Sequence, residues 1–388
     1  MGLLHKIKRS ITTLALVFFI IQNGHAQKDF EDITFGKHRI VHSEIMDEDR
    51  LLYVNLPSDY ESSNESYPVL FQLYGHFKES YYLPAVRTMS QMQSLGEAPG
   101  VIVVGIKNQQ FRYRDLLPVD HNQTKSEIDN FLKFFEEELI PFINKNYRTN
   151  GYHILAGPQA GATFGIYALA KKPQLFNAFF LSSPFFIQSV DKPIMEVLKV
   201  GINQNSYDRK FVMITYKEGI NDKEKQLVDS LSQILNKHAS FECIINPIEN
   251  NSDFNSPVGM IKGMKTLFGK YKFPGDDIPK ALNEIEMYYQ KLSDKYGYDM
   301  KIPEHGLVFE GDKFVKNDEL EKAREIFLKM LELYPERVMA PDRLGTIAYK
   351  QGNYELALEY YNKFLLSMPD SPYAQSQIKK IKEALEKN

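Results

Sequence analysis

The chain has 388 residues, with 47 lysines and arginines against 50 aspartates and glutamates and a formal net charge of -3. That length exceeds one typical domain and predicts two, and so even a charge balance excludes the basic footprint of a nucleic-acid binder. The only cysteine is Cys243, which excludes an intramolecular disulfide.

Residues 1–26 carry the three parts of a secretory signal. A basic stretch (His5, Lys6, Lys8, Arg9) precedes an apolar core from Ile11 to Ile21, and Gly24-His25-Ala26 supplies a small-x-small cleavage site. The apolar core is shorter than the roughly 20 residues that span a bilayer. Cleavage after Ala26 and a periplasmic or secreted mature protein, free of the membrane, are expected. No cysteine follows the apolar core to carry a lipid.

Residues 27–272 read as an α/β domain. Arg39-Ile40-Val41-His42 and Leu51 to Leu56 flank the polar Met46 to Asp49 and predict a leading hairpin. Val69 to Leu73 is a buried strand ending at Tyr74-Gly75, with a helix around Ala85 to Leu95. Val101 to Ile106 is the next strand, followed by the loop Arg112 to Pro118 and an amphipathic helix from Lys125 to about Asn144. The apolar run from Tyr152 to Ala156 then meets Gly157, three residues, Gly161 and a helical apolar period. A strand that turns so sharply into a helix has the geometry of a nucleophile elbow. The residue at its centre, where a serine would stand, is Gln159.

Further strands are predicted at Ala178 to Leu181, Phe211 to Tyr216 and Phe241 to Pro247, with helices near Ile194, from Asp222 to Lys237 and from Pro257 to Tyr271. Alternation at this spacing predicts a mostly parallel sheet with helices on both faces. Ligands of such a sheet meet the loops at the carboxyl ends of its strands. Residues 273–303 read as a linker with one helix, Ala281 to Tyr296, between the breaks Phe273 to Pro279 and Gly297 to Pro303. In residues 304–388 four pairs recur 34 residues apart: Gly311 and Gly345, Ala323 and Ala357, Phe327 and Tyr361, Pro335 and Pro369. That is the tetratricopeptide period. Ser371 to Glu386 supplies a helix to cover the exposed end, and such repeats predict a protein partner.

With these residues in view, the chain resembles bacterial α/β-hydrolase esterases related to esterase D and enterochelin esterase, in the subgroup with C-terminal tetratricopeptide repeats. Tyr67-Pro68-Val69-Leu70, Arg112-x-Arg114-Asp115-Leu116-x-Pro118, Glu138 to Thr149 and Pro173 to Ser183-Pro184 carry the likeness, with Leu292 to Tyr298 and Pro303-Glu304 beyond them. It implies an α/β-hydrolase fold followed by an all-α repeat domain, and a Ser-His-acid site. At that site the chain departs from the family. Where members read Gly-His-Ser-x-Gly-Gly, it reads Gly157-Pro158-Gln159-Ala160-Gly161-Ala162, and an amide is no nucleophile. Where they carry histidine in a stretch like Glu-Asn-His-Ser, it has Glu249-Asn250-Asn251-Ser252, and Asn251 cannot take up a proton near neutral pH. Tyr74 stands where an aspartate is common. Glu218, Asp222 and Asp253 are candidates for the acid position, each with a solvated loop charge as its competing reading.

Among other side chains, His76 and His121 lie in loops on the reactive face, whereas His153 and His238 fall on the opposite side. Ser182 and Ser183 follow a strand and are candidates to line the cleft, with the Ser183-Pro184 pair also resembling an ordinary loop of the family. No histidine pair or carboxylate cluster has metal-ligand spacing, and no metal or cofactor is expected. The expected ligand contacts are Tyr74, Gly75, His76, His121, Gln159, Ala160 and Asn251, whose neutral amides suit an uncharged polar ligand such as a sugar or peptide. The reading is a secreted esterase-family protein that has lost catalysis and serves as a binding or scaffolding module. Its alternatives are an active carboxylic-ester hydrolase of unusual mechanism, using His76 or His121, and an inert support for the repeats.

The signal sequence yields the first test. Intact-mass spectrometry of the exported fraction is expected to give a protein beginning at Gln27, and an intact Met1 terminus there counts against export with cleavage.

Overall fold

A computed structural model of the chain describes residues 35–75, 81–121, 124–184, 188–237, 241–249, 255–274 and 281–386. The signal segment, His76, His238, Asn251 and Asp253 lie outside the described residues. Among those described, no helix is long and apolar enough to cross a membrane.

Eight strands form one sheet in the order β1-β2-β4-β3-β5-β6-β7-β8. They are β1 (Lys37–Ser43), β2 (Glu48–Asn55), β3 (Tyr67–Leu73), β4 (Ile102–Ile106), β5 (Thr149–Pro158), β6 (Ala178–Ser182), β7 (Phe211–Lys217) and β8 (Glu242–Ile248). The expected hairpin pairs β1 with β2, and β2 runs antiparallel to β4. Every remaining pair is parallel. Parallel strands are covered on both faces, so their sequences are continuous apolar runs, and β3 is buried along its whole length. Alternate residues divide between two cores. Val69, Phe71, Leu155, Phe179 and Val212 face one, whereas Leu70, Ile154, Ala156, Phe180 and Met213 face the other.

On the first face, α2 (Arg112–Leu116) and α3 (Ile128–Lys133) follow β4, after α1 (Tyr82–Ser94) has covered part of the second. The helix expected from Lys125 starts at Ile128, widens into a π-helical turn over Phe134–Leu139 and resumes as α4 (Ile140–Asn146). Its rings grip the helix that leaves the elbow, α5 (Ala160–Lys171). Phe131 and Phe135 lie 5.1 Å and 5.6 Å from Phe164, and Phe135 lies 5.7 Å from Phe71 on β3. The helices α6 (Gln188–Gln204) and α7 (Asp222–Leu235) complete this layer, and α8 (Asn255–Leu267) lies on the second face.

The C-terminal region is α-helical: α9 (Leu282–Tyr296), α10 (Glu304–Lys316), α11 (Leu320–Leu333), α12 (Met339–Lys350), α13 (Tyr354–Ser367) and α14 (Pro372–Leu385). It is joined to the sheet by packing. Tyr289, Leu292 and Tyr296 of α9 are buried, the Tyr296 ring lies 5.8 Å from Tyr152 on β5, and its hydroxyl donates to the Leu267 carbonyl of α8. One apolar cluster runs from the second face of the sheet through α9 to Ile347 of α12, and a smaller one closes α13 and α14. Within the helical pairs one contact recurs at the sequence period. A Cβ on Gly311 would lie 2.5 Å from the Phe327 ring, and one on Gly345 would lie 2.8 Å from the Tyr361 ring. From Gly36 onward the described residues form one compact unit.

The run Arg112-x-Arg114-Asp115 finds its role in a buried ion network. Arg50 of β2 is 1% exposed; it donates to Asp115 at 2.7 Å and approaches Glu48 at 2.6 Å. Arg114 reaches the same two carboxylates at 2.8 Å and 2.6 Å. The Arg50 guanidinium also lies 5.0 Å and 5.2 Å from the Phe111 and Phe131 rings. Removing one partner of a buried pair strands the other charge, which typically costs about 3–5 kcal/mol, whereas replacing both is far cheaper. Arg50→Met is therefore expected to lower the unfolding free energy by about 3 kcal/mol or more in a urea titration. Adding Asp115→Leu should recover part of that loss, and a single-variant cost below about 1 kcal/mol would show that the network carries little stability.

Candidate functional site

At the carboxyl end of β5 the backbone turns into α5 through Gln159, whose φ of 48° and ψ of -118° place a non-glycine residue in a strained left-handed conformation. The turn is closed on both sides. The Gln159 N–H donates to the Ser182 carbonyl of β6 at 2.8 Å, and the Thr163 N–H donates to the Gln159 carbonyl at 3.1 Å. A Cβ on Gly157 would lie 2.8 Å from the Gly161 carbonyl carbon, and one on Gly161 would lie 3.3 Å from Leu73. Gly157 is thus required by the close approach of strand and helix, as the elbow pattern predicts, and Gly161 leaves only a tight fit against Leu73 of β3. Gln159 is exposed, and Ala160 beside it is buried. Ala160 heads α5, so its N–H belongs to the set that lacks an intrahelical acceptor and forms the positive end of the helix dipole.

Two neighbouring strand ends share this unusual backbone. Tyr74, after β3, has φ 56°, and Ser183, after β6, has φ 50°. The Tyr74 N–H donates to Asn108 Oδ1 at 2.8 Å, the Gly75 N–H to the Ile106 carbonyl at 2.9 Å, and the Ser183 N–H to the Thr215 carbonyl at 2.6 Å. Because β3, β5 and β6 are adjacent, Tyr74, Gln159 and Ser183 form one row along the carboxyl edge of the sheet. Such conformations cost about 1–3 kcal/mol each and collect at functional sites.

The remaining expected residues divide. His121 exchanges backbone hydrogen bonds with Thr124 at 3.0 Å and 2.9 Å, and its ring lies 4.7 Å from Tyr113. Glu218 is exposed, and its N–H donates to the Ile248 carbonyl at 3.0 Å. That bond ties the loop after β7 to the end of β8, three residues before Asn251. Asp222 is the first residue of α7, behind a cap in which Asn221 Oδ1 accepts from the N–H groups of Lys223 and Glu224. A carboxylate there complements the helix dipole, which accounts for Asp222 without a site. Ser182, expected to line the cleft, is instead buried, and its hydroxyl accepts from Thr215 at 3.2 Å within the sheet. His153 is buried with Nδ1 3.1 Å from the Leu175 carbonyl, and burial lowers its pKa. Among the described residues no group of three His, Cys, Asp or Glu is arranged to hold a metal ion.

One residue of the site is absent from the sequence reading. Asn108 is fully buried and holds the Tyr74 N–H, while its own Nδ2 has no partner among the described residues. The available signal was a polar residue just beyond the apolar run of β4, on the side where such sheets bind ligands.

No curated protein matches the chain. Among solved structures, an IroE-like serine hydrolase from Shewanella oneidensis is similar with a TM-score of 0.60 at 19% identity, over 85% of this chain and 98% of that one. An uncharacterised protein from Capnocytophaga ochracea gives 0.59 at 16% identity, over 89% and 99%. The enterobactin esterase from Shigella flexneri gives 0.51 at 17% identity, over 63% and 61%. At these identities the likeness shows the fold, an α/β-hydrolase. The family model described as "Putative esterase" matches residues 43–238, just over half of the chain. With the elbow, the strand order and that match together, the chain belongs to the Esterase family.

Proposed function

We propose that this family member binds rather than hydrolyses: an exported esterase-fold module that holds a ligand or partner at the carboxyl edge of the sheet, around the elbow. The observation that carries the reading is Gln159 at the centre of an elbow whose backbone geometry is intact. The amide supplies a donor and an acceptor but no nucleophile, and Asn251 occupies the sequence position of the family's general base. In one well-studied serine protease the loss of either the serine or the histidine costs about a million-fold in turnover. Both changes occur here, so ester hydrolysis falls to what helix-terminus donors and binding alone supply. The same neutral groups favour an uncharged polar ligand there.

The C-terminal helices fit this reading as tetratricopeptide repeats that engage a protein partner. The recurring Gly-on-aromatic contact at Gly311–Phe327 and Gly345–Tyr361 supports it. Packing of α9 against the sheet favours repeats held in a set orientation. The N-terminal signal sequence supports a place outside the cytoplasm.

Hydrolysis of short-chain p-nitrophenyl esters tests the reading. Wild type, Gln159→Ser and Asn251→His are each expected to show no saturable turnover above background, because each restored group lacks its partner. Saturable hydrolysis by the wild type that persists in Gln159→Ala would overturn the reading in favour of an active hydrolase of another mechanism.

A further inference from the structure

A second concavity lies at the opposite end of the sheet. Tyr67 opens β3 and Asn150 stands near the start of β5; both line a cleft of about 780 Å³ whose other wall is formed by residues of α9 to α12 and the segments joining them. Along β5 the rise of roughly 3.3 Å per residue puts Asn150 about 30 Å from Gln159. The cleft is therefore separate from the elbow, and its volume falls within the usual range for ligand sites.

Its walls combine rings with a surplus of negative charge. Phe309 is exposed and Tyr298 and Tyr334 are half-buried in its wall, whereas Tyr67, Tyr271 and Tyr289 are buried there. Seven lining residues are aspartate or glutamate and three are lysine or arginine. Four of the carboxylates are held by cations: Glu65 by Lys301, Glu304 by Arg337, Glu310 by Lys313 and Asp312 by Arg343. The other three, Asp59, Asp299 and Glu336, have no basic partner among the described residues. Asp59 accepts from the Tyr67 hydroxyl and the Gln93 amide, and Asp299 and Glu336 are exposed. Two lining residues also carry buried polar atoms without a partner, Asn150 Nδ2 and Tyr298 Oη. Ammonium groups already settle on one of these rings: Lys272 and Lys313 lie 5.4 Å and 4.5 Å from the Phe309 centroid.

We propose that this cleft is a second binding site, for a basic peptide segment. Lysine and arginine join an apolar stem to a cationic head, so the stems of such a segment lie along Tyr298, Phe309 and Tyr334 while its heads meet Asp299 and Glu336. A peptide backbone also brings carbonyl acceptors and N–H donors suited to an amide and a phenol. A neutral sugar would use the rings and leave the unpaired carboxylates unanswered. The site goes beyond the reading of the elbow and stands whether or not the elbow hydrolyses esters.

The full chain has no tryptophan, so the emission of a short lysine–tryptophan peptide reports its binding without background. Titration is expected to give a saturable blue shift, weakened by added salt, while the glutamate–tryptophan counterpart gives none. The exposed pair Asp299→Asn with Glu336→Gln should weaken the lysine peptide by roughly tenfold. The control pair Glu355→Gln with Glu359→Gln, exposed on α13 away from the cleft, should leave it unchanged. The proposal is overturned by an absence of saturable binding, by equal binding of the glutamate peptide, or by equal effects of the two carboxylate pairs. Ester hydrolysis in the same preparations reports separately on the elbow.

Discussion

Everything at the carboxyl edge of the sheet depends on how closely β5 and α5 approach. Gly157 leaves no room for a Cβ against Gly161 at the head of α5, and the intervening residue turns through a left-handed conformation, which Gln159 does at φ 48°. The strain is not a property of serine. It follows from the path of the backbone, with α5 held down by Phe131 and Phe135 against Phe164. A chain can thus exchange the reactive side chain and still be obliged to keep the elbow, because relaxing the turn would pull Phe164 out of the aromatic core. Retention of the elbow alone is consequently a statement about packing, and the chemistry must be argued from the side chain it displays.

The two faces of the sheet have different fates. The first is covered by helices that arise between its own strands, as in any doubly covered parallel sheet. The second, starting from Leu70, Ile154, Phe180 and Met213, also supports α9 and the helices beyond it in one apolar cluster. Burial of Tyr289, Leu292 and Tyr296 makes that attachment part of the core, with each large aromatic side chain contributing some 150–250 Å² of buried surface. The helical region therefore forms one wall of a cleft whose other wall comes from the amino ends of β3 and β5. A concave surface at that end of the sheet is a direct consequence of attaching helices to one face.

The fold was legible in the sequence because each parallel strand is a short apolar run bounded by turn residues, and surface helices such as α7 and α11 keep a 3.6-residue period. Predicted strands such as Ala178 to Leu181 and Phe211 to Tyr216 fall within one residue of the observed ends. The elbow was legible for the same reason, since two glycines four residues apart after an apolar run leave few alternatives. Ser182 was misplaced because a strand end does not reveal which way its last side chain points; here it turns inward to Thr215. Asn108 was missed because its role is to hold a backbone N–H 34 positions away. The Arg112-x-Arg114-Asp115 run stood out in the sequence, yet only tertiary contact with Glu48 and Arg50 explains it.

That last case bears on how a family likeness is read. The run around Arg114 and Asp115, expected as a loop, forms helix α2 and fastens the leading hairpin to it, with Arg50 stacked over Phe111 and Phe131. Its removal would expose an uncompensated charge in the core, so it is held by the requirement to fold rather than by any reaction. The side chain of Gln159 is under no such constraint. Gln159 is exposed, so its side chain can be exchanged without opening the core, provided the new residue keeps the turn. Selection on stability therefore preserves the scaffold residues even where the chemistry differs, and a likeness carried mainly by them speaks for the fold. Function must be read from displayed positions such as Gln159, which is exposed at the centre of the turn.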